Sequence, residues 1–307
     1  MKEATHKTSI GGQALIEGVM MRGPKTTAMA VRNPEGEIVL EKWPTKGMDR
    51  AKFFKLPFIR GIFNMADSLR FGYKCLMRSA EIAGLEEEEN EKDEKKNKFI
   101  MSILMVVSVV LAVFLSVGLF MYLPSFLFRL LAGAFPVLDN RIWRGIFEGV
   151  LRIVLFIGYM AVMLFMKDIR RTYMYHGAEH KTIFCYEAGL PLTVENVRKM
   201  RRFHPRCGTS FMILVLLVGI VVSMFITADA PLVRTLVKLL TLPIVVGVGY
   251  ELIKFAGRHD NIITRIISAP GVWLQHITTF EPDDSQIECA IAALSETLTG
   301  NPEDDKW

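Results

Sequence analysis

Hydrophobic and polar positions change period three times along the chain. Residues 26–43, "TTAMAVRNPEGEIVLEKW", hold two short alternating runs around Asn33-Pro34-Glu35-Gly36. Period-two alternation on both sides of turn-forming residues predicts a β-hairpin. The preceding "IGGQALIEGVMMRGP" is rich in Gly and ends in Gly-Pro. Its "GGQ" predicts a Gly-enabled turn or a close approach of backbone to a neighbour. Over residues 51–84 the apolar spacing becomes helical, with Arg60, Arg70, Lys74 and Arg78 in between. That predicts one or two amphipathic helices, suited to a membrane surface or to packing on a soluble neighbour. Residues 85–98, "LEEEENEKDEKKNK", have no apolar face and predict a solvated linker.

Beyond the linker the polar positions vanish in blocks. No charged residue occurs from Phe99 to Phe128, longer than the roughly 20 residues a membrane helix needs. Four spans are expected: 99–123, 145–166, 208–228 and 232–253. The second carries Glu148 and Arg152, an i,i+4 pair able to neutralise itself. The fourth carries Arg234 and Lys238, expected to snorkel to the interface, and Pro243, expected to kink it. "PSFLFRLLAGAFPVLDN", between the first two spans, reads as an interfacial or re-entrant helix. The tail after residue 258 reads as amphipathic helices starting near Pro270 and Pro282.

The expected fold is therefore an all-α polytopic membrane protein with about four transmembrane helices. It carries a small N-terminal β segment and cytoplasmic amphipathic helices. By sequence the domains run 1–50 (Gly-rich and β), 51–84 (amphipathic helices), 85–98 (linker), 99–257 (membrane domain with a cytoplasmic loop 167–209) and 258–307 (cytoplasmic tail). Lys92, Lys95, Lys96 and Lys98 precede the first span, and nine Lys or Arg fall in 167–209. Both segments should be cytoplasmic by the positive-inside rule, which puts both chain ends there. The N-terminus lacks the apolar core of a signal peptide.

Composition agrees: 51% of the 307 residues are hydrophobic. The formal net charge of +5 comes without any aromatic-basic recognition motif, so no nucleic-acid partner is expected. The expected partners are the lipid bilayer and other membrane proteins. Cys75, Cys185, Cys207 and Cys289 form no C-x-x-C pair and are expected reduced.

This topology gathers the chemically capable residues on one membrane face. In "HGAEH", His176 and His180 lie four apart and share a helical face, with Glu179 beside them. H-x-x-E-H inverts the zinc-protease motif, in which two His bind the ion and a Glu acts as base. Neutral imidazoles hold Zn²⁺, which activates a water for proton transfer to a nearby carboxylate. His204 and Cys207, in "FHPRCGTSF", or Glu251 would complete the site. His259, Glu17 and Arg22 are further cleft candidates, although an ordinary salt bridge also accounts for Glu17 and Arg22. Four protein ligands would make a closed, structural site; three would leave a place for water. The bland alternative is a His pair that contacts lipid headgroups or caps backbone groups. Gly177 weakens a helix at this point, and Thr209 or Ser210 could cap the third span.

The segments "GGQALIEGVMMRGP", "HGAEHKTIFCYE" and "HPRCGTSF" resemble the bacterial YqhQ-type membrane family of unknown function, over about residues 10–281. The resemblance implies a metal-dependent enzyme, with the suggested metal-site residues falling on His176, Glu179, His180, His204 and Cys207. The leading expectation is a zinc-dependent hydrolase, in particular a peptidase, at the cytoplasmic membrane face. The alternative is a non-enzymatic accessory factor of membrane-protein biogenesis or translocation, with any metal structural. A transporter ranks lowest, because the spans show few ionisable residues and no inverted repeat.

Overall fold

The computed structural model describes residues 7–45, 52–85, 94–259, 261–301 and 303–306. Most of the expected linker, residues 86–93, lies outside the described residues; residues 94–98 begin a helix.

Among the described residues, four antiparallel strands follow one another: β1 Gly11–Leu15, β2 Gly18–Arg22, β3 Thr26–Arg32 and β4 Ile38–Pro44, in the order β1-β2-β3-β4. The expected hairpin is β3–β4. Its turn is closed by the Asn33 side chain, which accepts the Glu37 N–H at 2.7 Å, and by Gly36 at φ 88°. The Gly-rich stretch forms a second hairpin, β1–β2, that the sequence pattern does not predict. Its turn residue Glu17 is non-Gly at φ 52°, held there by the Arg32 N–H donating to the Glu17 carbonyl. A turn signalled by Gly, Asn or Pro is legible; one enforced by the next strand is not.

The described residues then form ten α-helices: α1 Ile59–Ile82, α2 Glu94–Val117, α3 Leu123–Ala134, α4 Arg141–Met163, α5 Lys167–Glu187, α6 Val194–Arg198, α7 Gly208–Ser223, α8 Pro231–Arg258, α9 Ile262–Thr278 and α10 Asp284–Ser295. Three helical stretches among them are long and apolar enough to cross a membrane: Val106–Ala134, Arg141–Met163 and Pro231–Arg258. The expected 208–228 span contains the shorter α7, 16 residues long. The expected re-entrant segment is not a separate element, because α3 continues from α2 through the π-helical turn Gly118–Tyr122. Pro270 does not start a helix. The capping box of Asn261 and Thr264 starts α9 well before it and leaves Pro270 inside. Asp283 and Gln286 form the box that starts α10, as the Pro282 signal suggests.

The chain packs as two compact units that interleave in sequence. One unit draws on residues 1–86, 160–214 and 247–307; the other on 87–159 and 215–246. In the first unit the sheet is covered on both faces. Val19, Met21 and Ala30 point to one side, into a core with Tyr175, Ala178 and Ile183 of α5 and Ile287, Ala290 and Leu294 of α10. Leu15, Met20, Met29 and Val31 point to the other side and meet Cys75 of α1. This is the period-two alternation of a strand with both faces buried.

In the second unit Gly145 and Gly149 let α4 approach α7 closely. A Cβ at Gly149 would stand 2.5 Å from Ile220 Cγ1, the small-xxx-small packing of apolar helices. The buried charges here correct two expectations from sequence. Glu148 pairs not with Arg152 but with Arg234 (2.9 Å) and Lys238 (2.6 Å). Arg234 and Lys238 do not snorkel outward; both are buried, at 2% and 5% exposure.

Candidate metal centre

Helix α5 brings His176, Glu179 and His180 to one place. The four-residue spacing sets the two imidazoles 4.4 Å apart between ring centroids. Gly177 is there for close approach: a Cβ would collide with the Phe280 carbonyl oxygen. Phe280 in turn donates its N–H to the Tyr173 carbonyl, which locks the α9–α10 connection against α5.

The ring orientations are fixed from outside the cluster. His176 Nδ1 meets the Thr278 carbonyl at 2.8 Å, and His180 Nδ1 meets the Arg202 carbonyl at 2.5 Å. A carbonyl only accepts, so each Nδ1 carries a proton and each Nε2 is left for other work. His176 Nε2 lies 3.1 Å from Cys207 Sγ. His180 Nε2 is buried without a hydrogen-bond partner among the described residues. Ligand atoms of His176, His180 and Cys207 all lie within 4.8 Å of one another, and all three residues are buried.

Cys207 occupies the residue before α7. Its Sγ accepts the Thr209 N–H at 3.4 Å and lies 3.3 Å from the Thr209 hydroxyl. Burial opposes the thiolate, but His176 and His180 outweigh it and hold the thiol well below its ordinary value. A helix N-terminus favours the same form. Burial likewise opposes a charged His176, yet the Cys207 sulfur carries its pKa up to about 9. Both shifts favour the imidazolium–thiolate form of the pair.

Glu179 sits beside them and is buried. Its Oε1 accepts the Gly12 N–H at 3.0 Å, while Oε2 has no partner among the described residues. Burial raises its pKa against the opposing pull of both histidines. A cavity of about 390 Å³ opens next to these groups, bordered by Ile10–Gln13 of the first strand region, Arg22, Glu179, His180, His204, Arg206 and Cys207.

His204 is close to this cluster but outside its ligand set. Its ring centroid is 5.4 Å from that of His180, and its Nε2 faces Arg206 (3.4 Å) and Glu187 (4.0 Å). Burial and the surrounding cations keep its pKa well below the usual range, so it is neutral. Gln275 clamps its backbone, accepting the His204 N–H and donating to the His204 carbonyl, both at 2.7 Å.

Arg22 lines the cavity. Glu17 does not; it is tied to Arg171 and to the Tyr175 hydroxyl. Glu251 is engaged by Arg60 and by the Phe58 N–H. His259 is exposed and stacks on Phe255. Position on one membrane face sets a residue's level, not its direction, and so overcounts candidates. Sequence gives Gly12 only a close backbone approach and Thr209 only a capping role, and it gives no signal for Gln275.

His176, His180 and Cys207 offer two Nε2 positions and one sulfur that together could hold a divalent metal, with the orphaned Glu179 Oε2 beside them. No solved structure matches the chain. It is 35% identical over 294 residues to the uncharacterized protein YqhQ of Bacillus subtilis (strain 168), covering 94% of this chain and 92% of that protein. The family model "Protein of unknown function (DUF1385)" matches residues 56–300. The chain thus belongs to the DUF1385 family, together with YqhQ.

Proposed function

We propose that the protein is a membrane-embedded, metal-dependent hydrolase whose ion is held by His176, His180 and Cys207. The observation that carries this reading is the pair of Nδ1 contacts to the Thr278 and Arg202 carbonyls. They commit both rings to present Nε2 beside Cys207, the arrangement of histidines that bind metal. Two nitrogens and a sulfur favour zinc. When bound, the ion supplies Lewis acidity to a water or a carbonyl oxygen. Glu179 supplies the base: Gly12 holds Oε1 and leaves Oε2 to take a proton. The low pKa of Cys207 readies the sulfur, and loading displaces the proton His176 shares with it. Because His204 turns to Arg206 and Glu187, the protein ligands number three, which supports an open site over a closed structural one. A peptide is the substrate class we favour, from the inverted H-x-x-E-H pattern.

The first unit supports an even number of crossings. One of its cores contains residues before α2, between α4 and α7, and after α8, so these three stretches share one membrane side. Crossings by Val106–Ala134 and Arg141–Met163 then return the chain to its starting side. If α8 crosses, α7 crosses as its partner despite its length. Lys and Arg in 167–209 make that shared side cytoplasmic.

Elemental analysis of purified protein tests the site. The expected result is about one zinc per chain, lost in His180→Ala and Cys207→Ser and kept in Glu179→Gln. A wild-type protein without metal, or unchanged content in His180→Ala, removes the proposal. A second reading, a non-enzymatic membrane factor, draws on the apolar face of α9, where Ile262, Ile263, Ile266 and Trp273 are exposed. It predicts a stoichiometric partner in gently solubilised membranes and a silent Glu179→Gln.

A further inference from the structure

The second unit holds a charge imbalance that the metal site does not use. Four ionisable side chains are buried there among the described residues: Glu148, Arg152, Arg234 and Lys238. Three are cations and one is an acid. Glu148 is consumed by Arg234 and Lys238. Arg234 spends its remaining donors on the carbonyls of Ser223 (2.8 Å) and Ile226 (2.6 Å), and Lys238 also reaches the Ser125 hydroxyl at 2.9 Å. Arg152 is left over. Its Nε donates to the Phe120 carbonyl at 2.8 Å, in the π-helical turn. Its Nη2 is buried with no hydrogen-bond partner among the described residues, on a residue only 7% exposed.

A buried guanidinium without a direct ion pair is costly among apolar helices, and such residues in membrane helices mark ligand pathways. The surroundings suit an anion rather than another cation. Arg152 is within electrostatic reach of Glu148 as well as of Arg234 and Lys238, and three cations against one acid leave the cluster with a positive surplus. Gly219 presents no side chain to its Nη1, and the Ser223 hydroxyl is a second buried donor without a partner among the described residues. The planar fork of Arg matches an oxyanion with two parallel bonds. A π-turn that aims a backbone carbonyl at Arg152 is the kind of helix irregularity that accompanies functional sites.

We propose that Arg152, backed by Lys238 and Arg234, is the receptor for an oxyanion, a phosphate or carboxylate group, within the helical unit. The source is an anionic lipid head or a free anion. Arg152 stands near the middle of α4, roughly 16 Å from its start at 1.5 Å per residue.

The test is thermal unfolding of the full chain in a neutral detergent at about 0.3 M salt, where exposed charges are screened. Phosphatidylglycerol, inorganic phosphate and phosphatidylcholine are titrated separately. The expected result is a saturable rise in Tm with phosphatidylglycerol and none with phosphatidylcholine. A rise with phosphatidylglycerol alone assigns the lipid head; a rise with inorganic phosphate as well assigns the free oxyanion. Arg152→Gln should weaken the half-saturation point at least about tenfold, and Arg152→Lys less. Zinc content should be unchanged in both, which separates this site from the metal centre. Should Arg152→Gln fail to fold, Lys238→Met takes its place, with weakening of the same order expected. No saturable rise with either anion, or equal affinity in the substituted protein, overturns the proposal.

Discussion

The carboxylate of Glu179 accepts the backbone N–H of Gly12 at 3.0 Å, joining helix α5 to the edge strand β1 across 167 positions of chain. A Cβ at Gly12 would stand 2.9 Å from Glu179 Cδ and 2.9 Å from Met21 Sδ. Gly12→Ala is therefore expected to keep zinc, displace the carboxylate, and lower stability by about 1–3 kcal/mol, as overpacking does. Metal analysis and thermal unfolding of the same preparation check both halves.

Metal removal should act through mass action. A chelator is expected to lower the Tm of the wild-type protein, by the equivalent of about 2.7 kcal/mol where free zinc had stood at 100 times its Kd. Cys207→Ser should show little further loss on chelation. A wild-type Tm indifferent to chelator would contradict a loaded centre.

Gly177→Ala tests the packing of α5 directly. Ala is the better helix former, so propensity alone predicts a small gain. Collision with the Phe280 carbonyl predicts the opposite, a loss of about 2 kcal/mol or more. The sign of the Tm shift decides between helix propensity and tertiary contact.

Glu148 is the one acid paired with two buried cations, so its loss should be severe. Glu148→Gln leaves Arg234 and Lys238 buried without a counter-charge and is expected to cost about 3–5 kcal/mol. The readout is thermal unfolding in detergent. A shift below one degree would mean that water already solvates the group.

Topology can be read with introduced thiols and a membrane-impermeant maleimide on intact cells. Val137, 90% exposed, and Ala230, also exposed, flank the two short connections. Arg144 joins those connections through Asp139 and Asp229. Val137→Cys and Ala230→Cys should label, and Glu35→Cys and Glu303→Cys should not. Labelling of Glu303→Cys would break the even-crossing argument.

Several of these elements are legible in the sequence because their cause is local. Alternation around Asn33-Pro34-Glu35-Gly36 gives β3–β4, and the spacing of His176 and His180 is by itself enough to put two imidazoles on one side of a helix. Chain proximity offers His204 and Cys207 alike and does not choose between them. What stays hidden depends on distant partners. Arg234 looks like a snorkelling residue because its acid, Glu148, lies 86 positions away. The ring-fixing groups of the metal centre are the carbonyls of Thr278 and Arg202, and a carbonyl is common to every residue. The β1–β2 turn escapes notice because Glu17 occupies a left-handed conformation that its side chain does not advertise.

The first unit, whose core joins the two ends of the chain, also has a consequence for synthesis. The face of β2 and β3 formed by Val19, Met21 and Ala30 takes part of its cover from α10, which is made long after the strands. Until α10 is made, that part of the greasy surface waits uncovered, while the apolar helices in between are synthesised. A premature stop codon before residue 284 would therefore do more than shorten a tail: it would strip α10 from the sheet and deny helix α5 a neighbour it packs against.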